Sequence, residues 1–152
     1  MAELDGRCIG VYCQSDGYPE GVGATLLEHY TDEAKLRELL ALGDLSSLDA
    51  EIGEKHSFSA LRRDLPEEQQ TWTRAYHRDR EEPWDDVKPA ETPTFGELYE
   101  WFREAVAYVY LWRAGQWLCT KTYGATVPKL RSIAATAVAE DEERAAEEAA
   151  SV

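Results

Sequence analysis

Ala105-Val106-Ala107-Tyr108-Val109-Tyr110-Leu111-Trp112-Arg113-Ala114-Gly115-Gln116-Trp117-Leu118-Cys119-Thr120-Lys121-Thr122-Tyr123 sets two apolar arms on either side of Ala114-Gly115. Ala105 to Trp112 is almost continuously aromatic and β-branched, which favours a strand. Ala114-Gly115 supplies a tight turn, and Gln116 to Tyr123 returns as the second arm of a hairpin. Side chains alternate across a strand. Tyr108, Tyr110 and Trp112 therefore share one face, and Val109 and Leu111 share the other. Both faces are apolar enough to be partly covered.

The segments around this hairpin read as helices. On its N-terminal side Thr94 and Glu97 form a capping box, and Leu98, Trp101 and Phe102 give the following helix a buried stripe. On its C-terminal side Pro128 sits near the start of a last helix, a position proline tolerates. Leu130, Ile133, Ala134, Ala137 and Val138 form its apolar side. From Glu140 the chain is nearly all Ala and acid. The tail 140–152 is expected to be a projecting helix or a frayed end.

Nearer the N-terminus, Arg7 to Gln14 reads as a strand, stopped by Asp16-Gly17, a turn pair. Ala24 to Tyr30 reads as a short helix. Thr31 caps the next one, with Leu36, Leu39 and Leu40 at helical spacing and Gly43 at its end. Residues 49 to 70 are weakly patterned. Thr71 to His77 alternates like a strand, and Arg78 to Pro93 reads as a long polar loop with Pro83, Pro89 and Pro93. The order is strand, helices, strand, helix, hairpin, helix. It predicts an α+β fold: a small antiparallel sheet of three to four strands, about four helices mainly on one face, and an acidic C-terminal helix. Residues 1–139 form a single domain.

The 152 residues carry 30 Asp and Glu against 16 Lys and Arg, a formal net charge of −14. A field of that sign opposes direct binding to a phosphate backbone. No apolar run is long enough to span a membrane. Met1-Ala2-Glu3-Leu4-Asp5 lacks the basic and apolar regions of a secretory signal. Three cysteines, Cys8, Cys13 and Cys119, fit free thiols in a reducing cytoplasm. Neither a C-x2-C pair nor an H-x3-H pair is present, so no metal site and no cofactor are expected.

Catalytic motifs are equally lacking. Gly17, Gly21 and Gly23 follow a strand and precede a helix, yet no Lys follows and Asp16 and Glu20 would repel a phosphate. Turn glycines are the better reading. His77 with Asp79, or His29 with Glu28, has acid–base potential but no nucleophile beside it. Glu81, Glu82, Asp85 and Asp86 surround Trp84 in the proline-rich loop. A Trp among carboxylates makes a plausible partner anchor. A carboxylate array there and on the last helix would steer onto a basic groove in a salt-dependent way.

Val11-Tyr12-Cys13-Gln14-Ser15-Asp16-Gly17-Tyr18-Pro19 continues through Leu26-Leu27-Glu28-His29-Tyr30 to Leu42-Gly43-Asp44-Leu45-Ser46-Ser47-Leu48. This series resembles a group of small phage and prophage proteins. They carry a Tyr-Cys-x-x-Asp-Gly-Tyr-Pro motif, then Leu-Leu-x-x-Tyr and Leu-Gly-Asp-x-Ser-Ser-Leu segments. The match is good over residues 9 to 48 and loose beyond, where Tyr76 to Arg80 and Tyr108 to Leu111 look similar in kind. Gln14-Ser15 stands where the group often has His-Trp. The resemblance implies a mobile-element gene whose product acts inside a bacterial cell.

Together these features predict a non-enzymatic acidic interaction protein of phage type. It would inhibit a host defence or nucleic-acid-binding protein with a basic groove, in the manner of an anti-CRISPR protein mimicking DNA charge. The expected contact residues are Glu81, Glu82, Trp84, Asp85, Asp86, Glu140, Asp141, Glu142 and Glu143. One alternative is a small enzyme or ligand-binding domain using the Asp16-Gly17-Tyr18 turn with His77 and Asp79. Another is a role in virion assembly.

Overall fold

The computed structural model describes residues 1–151, so Val152 of the expected tail lies outside the described residues. Its centre is the hairpin of β1 (Ala2–Leu4) and β2 (Arg7–Gly10) set beside the hairpin of β6 (Tyr108–Arg113) and β7 (Gln116–Lys121). The second hairpin pairs from Tyr108 opposite Lys121 to Arg113 opposite Gln116. Its turn residues Ala114 and Gly115 have φ of 50° and 76°. Two positive φ values match the twist of the flanking strands. Asp5 and Gly6, with φ of 55° and 74°, do the same for the first hairpin.

β1 and β6 join the two hairpins in parallel, with Ala2 opposite Trp112. The six-stranded sheet is completed by β5 (Ala90–Thr92) beside β2 and by β8 (Arg131–Ser132) beside β7. A separate ribbon pairs β3 (Leu45–Ser47) with β4 (Arg74–Ala75). The fold is thus mixed α/β with a mainly antiparallel sheet. It has more strands than the three or four predicted, because β1, β3, β4, β5 and β8 are two or three residues long. Such pieces are too short to show an alternating pattern.

The two stripes of β6 are buried on opposite sides. Tyr110 and Trp112 join Trp117 and Cys119 under α1 (Ala24–His29), α2 (Glu33–Leu40) and the first residue of α6 (Ile133–Ala150). Val109 and Leu111 join Cys8 under α5 (Phe95–Phe102). Helical cover is weighted to one face, and the other face is sealed by α5.

Several local expectations shift. The first strand stops at Gly10, and Cys13 bridges to Leu45 instead. Thr71 to His77 is not one strand: β4 is followed by α3 (Tyr76–Arg80). The expected loop 78–93 holds α4 (Trp84–Val87) and β5. Asp32, not Thr31, caps α2, its carboxylate accepting from Ala34 N at 3.2 Å. Thr94 does cap α5, accepting from Glu97 N at 3.3 Å. However, Phe95, Leu98 and Tyr99 form its buried stripe, while Trp101 is 68% exposed. α6 starts after Ser132, which caps it through Ala135 N, so Pro128 precedes the helix. Among the described residues, no helix is long and apolar enough to cross a membrane.

Candidate functional site

The Asp16-Gly17-Tyr18 turn is held from below by the aromatic strand. The Tyr110 hydroxyl donates to Gly17 O at 2.7 Å. Asp16, at φ 55°, accepts from Val22 N through its carbonyl at 2.8 Å and from the Tyr18 hydroxyl through its carboxylate at 3.2 Å. A Cβ on Gly21 would lie 2.3 Å from Asp16 O, so only glycine lets the chain fold back here. The glycine cluster is a packed turn leading into α1.

This turn roofs a cavity of about 360 Å³. Its walls come from both layers. Leu36, Leu39 and Leu40 belong to the α2 side, while Phe102 and Val106 belong to the α5 side. Val11, Cys13 and Gln14 form one flank, and Tyr108 to Tyr110 form the other. The space is mainly apolar with a few polar groups, which is the make-up of a binding cavity. Burial pushes the Cys13 thiol up to about 11, and it raises the Tyr108 and Tyr110 phenols above their ordinary value. A protonated thiol is a poor nucleophile, so these walls suit binding better than covalent chemistry.

His77 and Asp79 do not line this cavity. His77 shares a hydrogen bond with Glu82 O at 2.7 Å and meets Trp84 edge-on at 5.1 Å. Asp79 is buried in a polar knot. It accepts from Ala75 N at 2.8 Å, His56 N at 3.2 Å and Arg78 Nε at 3.0 Å. Arg78 also donates to Ile52 O at 2.8 Å and Thr73 O at 2.7 Å. The knot therefore ties the irregular 49–60 segment to β4 and α3. The grouping of Asp16-Gly17-Tyr18 with His77 and Asp79 is divided between a turn and a structural clasp.

The acids at 81–86 are largely paired. Glu81 meets Lys55 at 2.8 Å, Glu82 meets Arg80 at 2.7 Å and Asp85 meets Lys88 at 3.4 Å. The Lys55 ammonium holds the Glu81 carboxyl below the usual carboxylate range. Trp84 is 39% exposed and rests beside Gly43. The tail acids lie elsewhere, on a helix packed against β7, β8 and the turn before α1. Glu140 and Asp141 share Arg144, and Glu143 reaches Lys121 at 3.5 Å. Every residue from Asp141 to Ser151 is exposed. The two acidic segments are thus carried by separate elements, and several acids of each have a cationic neighbour.

Sequence reasoning missed the cavity and the knot. Residues 11–14, 36–48 and 105–110 line the cavity, and no spacing rule joins such distant segments. Asp5-Gly6, flanked by Leu4 and Arg7, was the available sign of the first hairpin. Among the described residues, no group of three or more His, Cys, Asp or Glu is placed to hold a metal ion. No family model, curated protein or solved structure matches the chain.

Proposed function

We propose that the protein is a non-enzymatic, acidic interaction protein of phage or prophage type. It inhibits a host defence or nucleic-acid-binding protein by occupying a basic groove with carboxylates, as a mimic of DNA charge. The observation that carries this reading is the exposed end of α6. Glu142, Glu143, Glu147 and Glu148 project there; Arg144 is the one cation on the helix, Lys121 of β7 reaches Glu143, and the last turn has no basic residue. Carboxylates at a helix C-terminus oppose the helix dipole. A segment without tertiary packing is also a marginal helix on its own. A cationic partner surface would relieve both costs. The net charge of −14 adds long-range steering toward such a partner.

The experiment is retention of bacterial lysate proteins on the immobilised protein at low and high salt. A parallel column carries the variant with Glu142, Glu143, Glu147 and Glu148 changed to Gln. The expected result is a nucleic-acid-binding protein held at low salt, released by added duplex DNA and absent from the variant column. Retention indifferent to salt, to DNA and to the four substitutions would remove the proposal.

A further inference from the structure

The most exposed of the five tryptophans is Trp101, at 68%. An indole offers a large apolar area for burial, and here most of it faces water. The rest of α5 fixes its position. Phe95, Leu98 and Tyr99 are buried, and Thr94 caps the helix. The Tyr99 hydroxyl also donates to Ala125 O at 2.9 Å. Trp101 is therefore displayed outward from an anchored element, which is where a precise contact is built. Residues three and four apart share a helix face, with Cβ atoms about 5–6 Å apart. Glu97 and Glu104 thus flank Trp101, one turn to either side, and all three are exposed. Arg103 is engaged beside them. Its Nε meets Glu100 at 3.0 Å, and its Nη2 lies 3.9 Å from Glu104. Among the described residues, Glu97 has no ion-pair partner and no cation stacks on Trp101. Other rings of the chain do carry one: Arg80 lies 4.5 Å from the Phe58 ring and Arg113 5.8 Å from the Phe95 ring. Trp84 differs again, since His77 meets it edge-on and Gly43 lies beside it.

We propose that this face of α5 docks a partner protein through one of its arginines. The guanidinium stacks on the Trp101 indole, and Glu97 and Glu104 accept its N–H groups. Trp is the best aromatic face for a cation. Arginine suits the pair because it is planar, stacks on rings and offers a fork of donors to carboxylates. A neutral apolar occupant would instead bury carboxylates without partners. An aromatic anchor ringed by polar groups is also how binding energy concentrates in an interface. The surface lies apart from the tail. α5 packs on the Val109 and Leu111 side of the sheet, whereas Ile133 of α6 packs with Tyr110 and Trp112 on the other. The inference therefore does not rest on the tail acids and survives their failure.

The test is a chemical-shift titration of the full chain at physiological salt. The probe is the peptide acetyl-Ala-Arg-Ala-Ala-Arg-Ala-amide, with Gln-for-Arg and Lys-for-Arg versions as controls. The Trp101 indole N–H resonance is identified by its absence in Trp101→Phe. The expected result is a saturable shift of that resonance, and of the Glu97 and Glu104 amides, with the Arg peptide. The Gln version should move none of them, and the Lys version should bind about threefold or more weakly. Trp101→Leu, read on the two Glu amides, should weaken binding about fivefold or more. The chain with Glu142, Glu143, Glu147 and Glu148 changed to Gln should still show the Trp101 shift, which separates this surface from the tail. An unmoved Trp101 indole would overturn the proposal, as would an equal response to the Gln or Lys peptide or unchanged affinity in Trp101→Leu. Loss of the Trp101 shift in the tail variant would assign the peptide to the tail acids and overturn it too.

Discussion

Asp79 is the residue on which the irregular middle of the chain depends. Its side chain is fully shielded from solvent, and it accepts from two backbone N–H groups and from Arg78. Asp79→Ala leaves the partly buried Arg78 guanidinium without its carboxylate and two buried N–H groups without their acceptor. Removing one partner of a buried pair costs about 3–5 kcal/mol, so urea unfolding should show a loss of that size. Gly21→Ala brings a Cβ to 2.3 Å from the Asp16 carbonyl, where backbone must move. The expected destabilisation is about 1–3 kcal/mol, with loss of the Tyr110–Gly17 hydrogen bond. Cys119 adds a pH effect. Burial pushes its thiol from 9.0 up to about 11. The unfolded chain therefore releases this proton first as pH rises, and stability falls between pH 9 and 11. The contribution is at most about 3 kcal/mol. Cys119→Ala should flatten the fall in that window, as read by thermal melts across it.

At the scale of elements, the long β6–β7 hairpin was legible because six-residue arms show their alternation. The Thr94 cap was legible because capping is a local hydrogen bond. Thr94→Ala should cost about 1 kcal/mol, measured by denaturant unfolding. The phase of α5 was harder. Leu98, Trp101 and Phe102 satisfy helical spacing, and so do Phe95, Leu98 and Tyr99. Which stripe is buried depends on how the helix meets β2 and β5, which lies outside its own eight residues. The 78–93 segment was opaque for a related reason. α4 and β5 exist through contacts such as Asp44 N donating to Val87 O at 2.7 Å, not through propensity. α6 is the opposite case, with propensity and little packing beyond Ala139 and Glu140. Truncation after Glu140 should change unfolding free energy by under about 0.5 kcal/mol.

At the scale of the molecule, the two apolar stripes of β6 already required cover on both faces, and the helices supply it. The candidate site was less legible. The acids were countable in the sequence, but their pairing was not. Glu81, Glu82 and Asp85 have cationic neighbours, and so do Glu140, Asp141 and Glu143; among the described residues Glu142, Glu147 and Glu148 are the tail-helix acids that meet no ion-pair partner. The cavity was invisible because its walls come from segments far apart in the chain, around residues 11–14, 36–48 and 105–110. The central claim, capture of a basic partner by the exposed acids of α6, is tested most directly by the salt dependence of affinity for the retained protein. Charge steering and charge pairing both weaken as ionic strength rises. The expected result is an affinity that falls about tenfold or more from low to physiological salt, and far less for the four-Gln variant. Equal affinity at both salt concentrations, with the variant binding as tightly as the wild type, would contradict it.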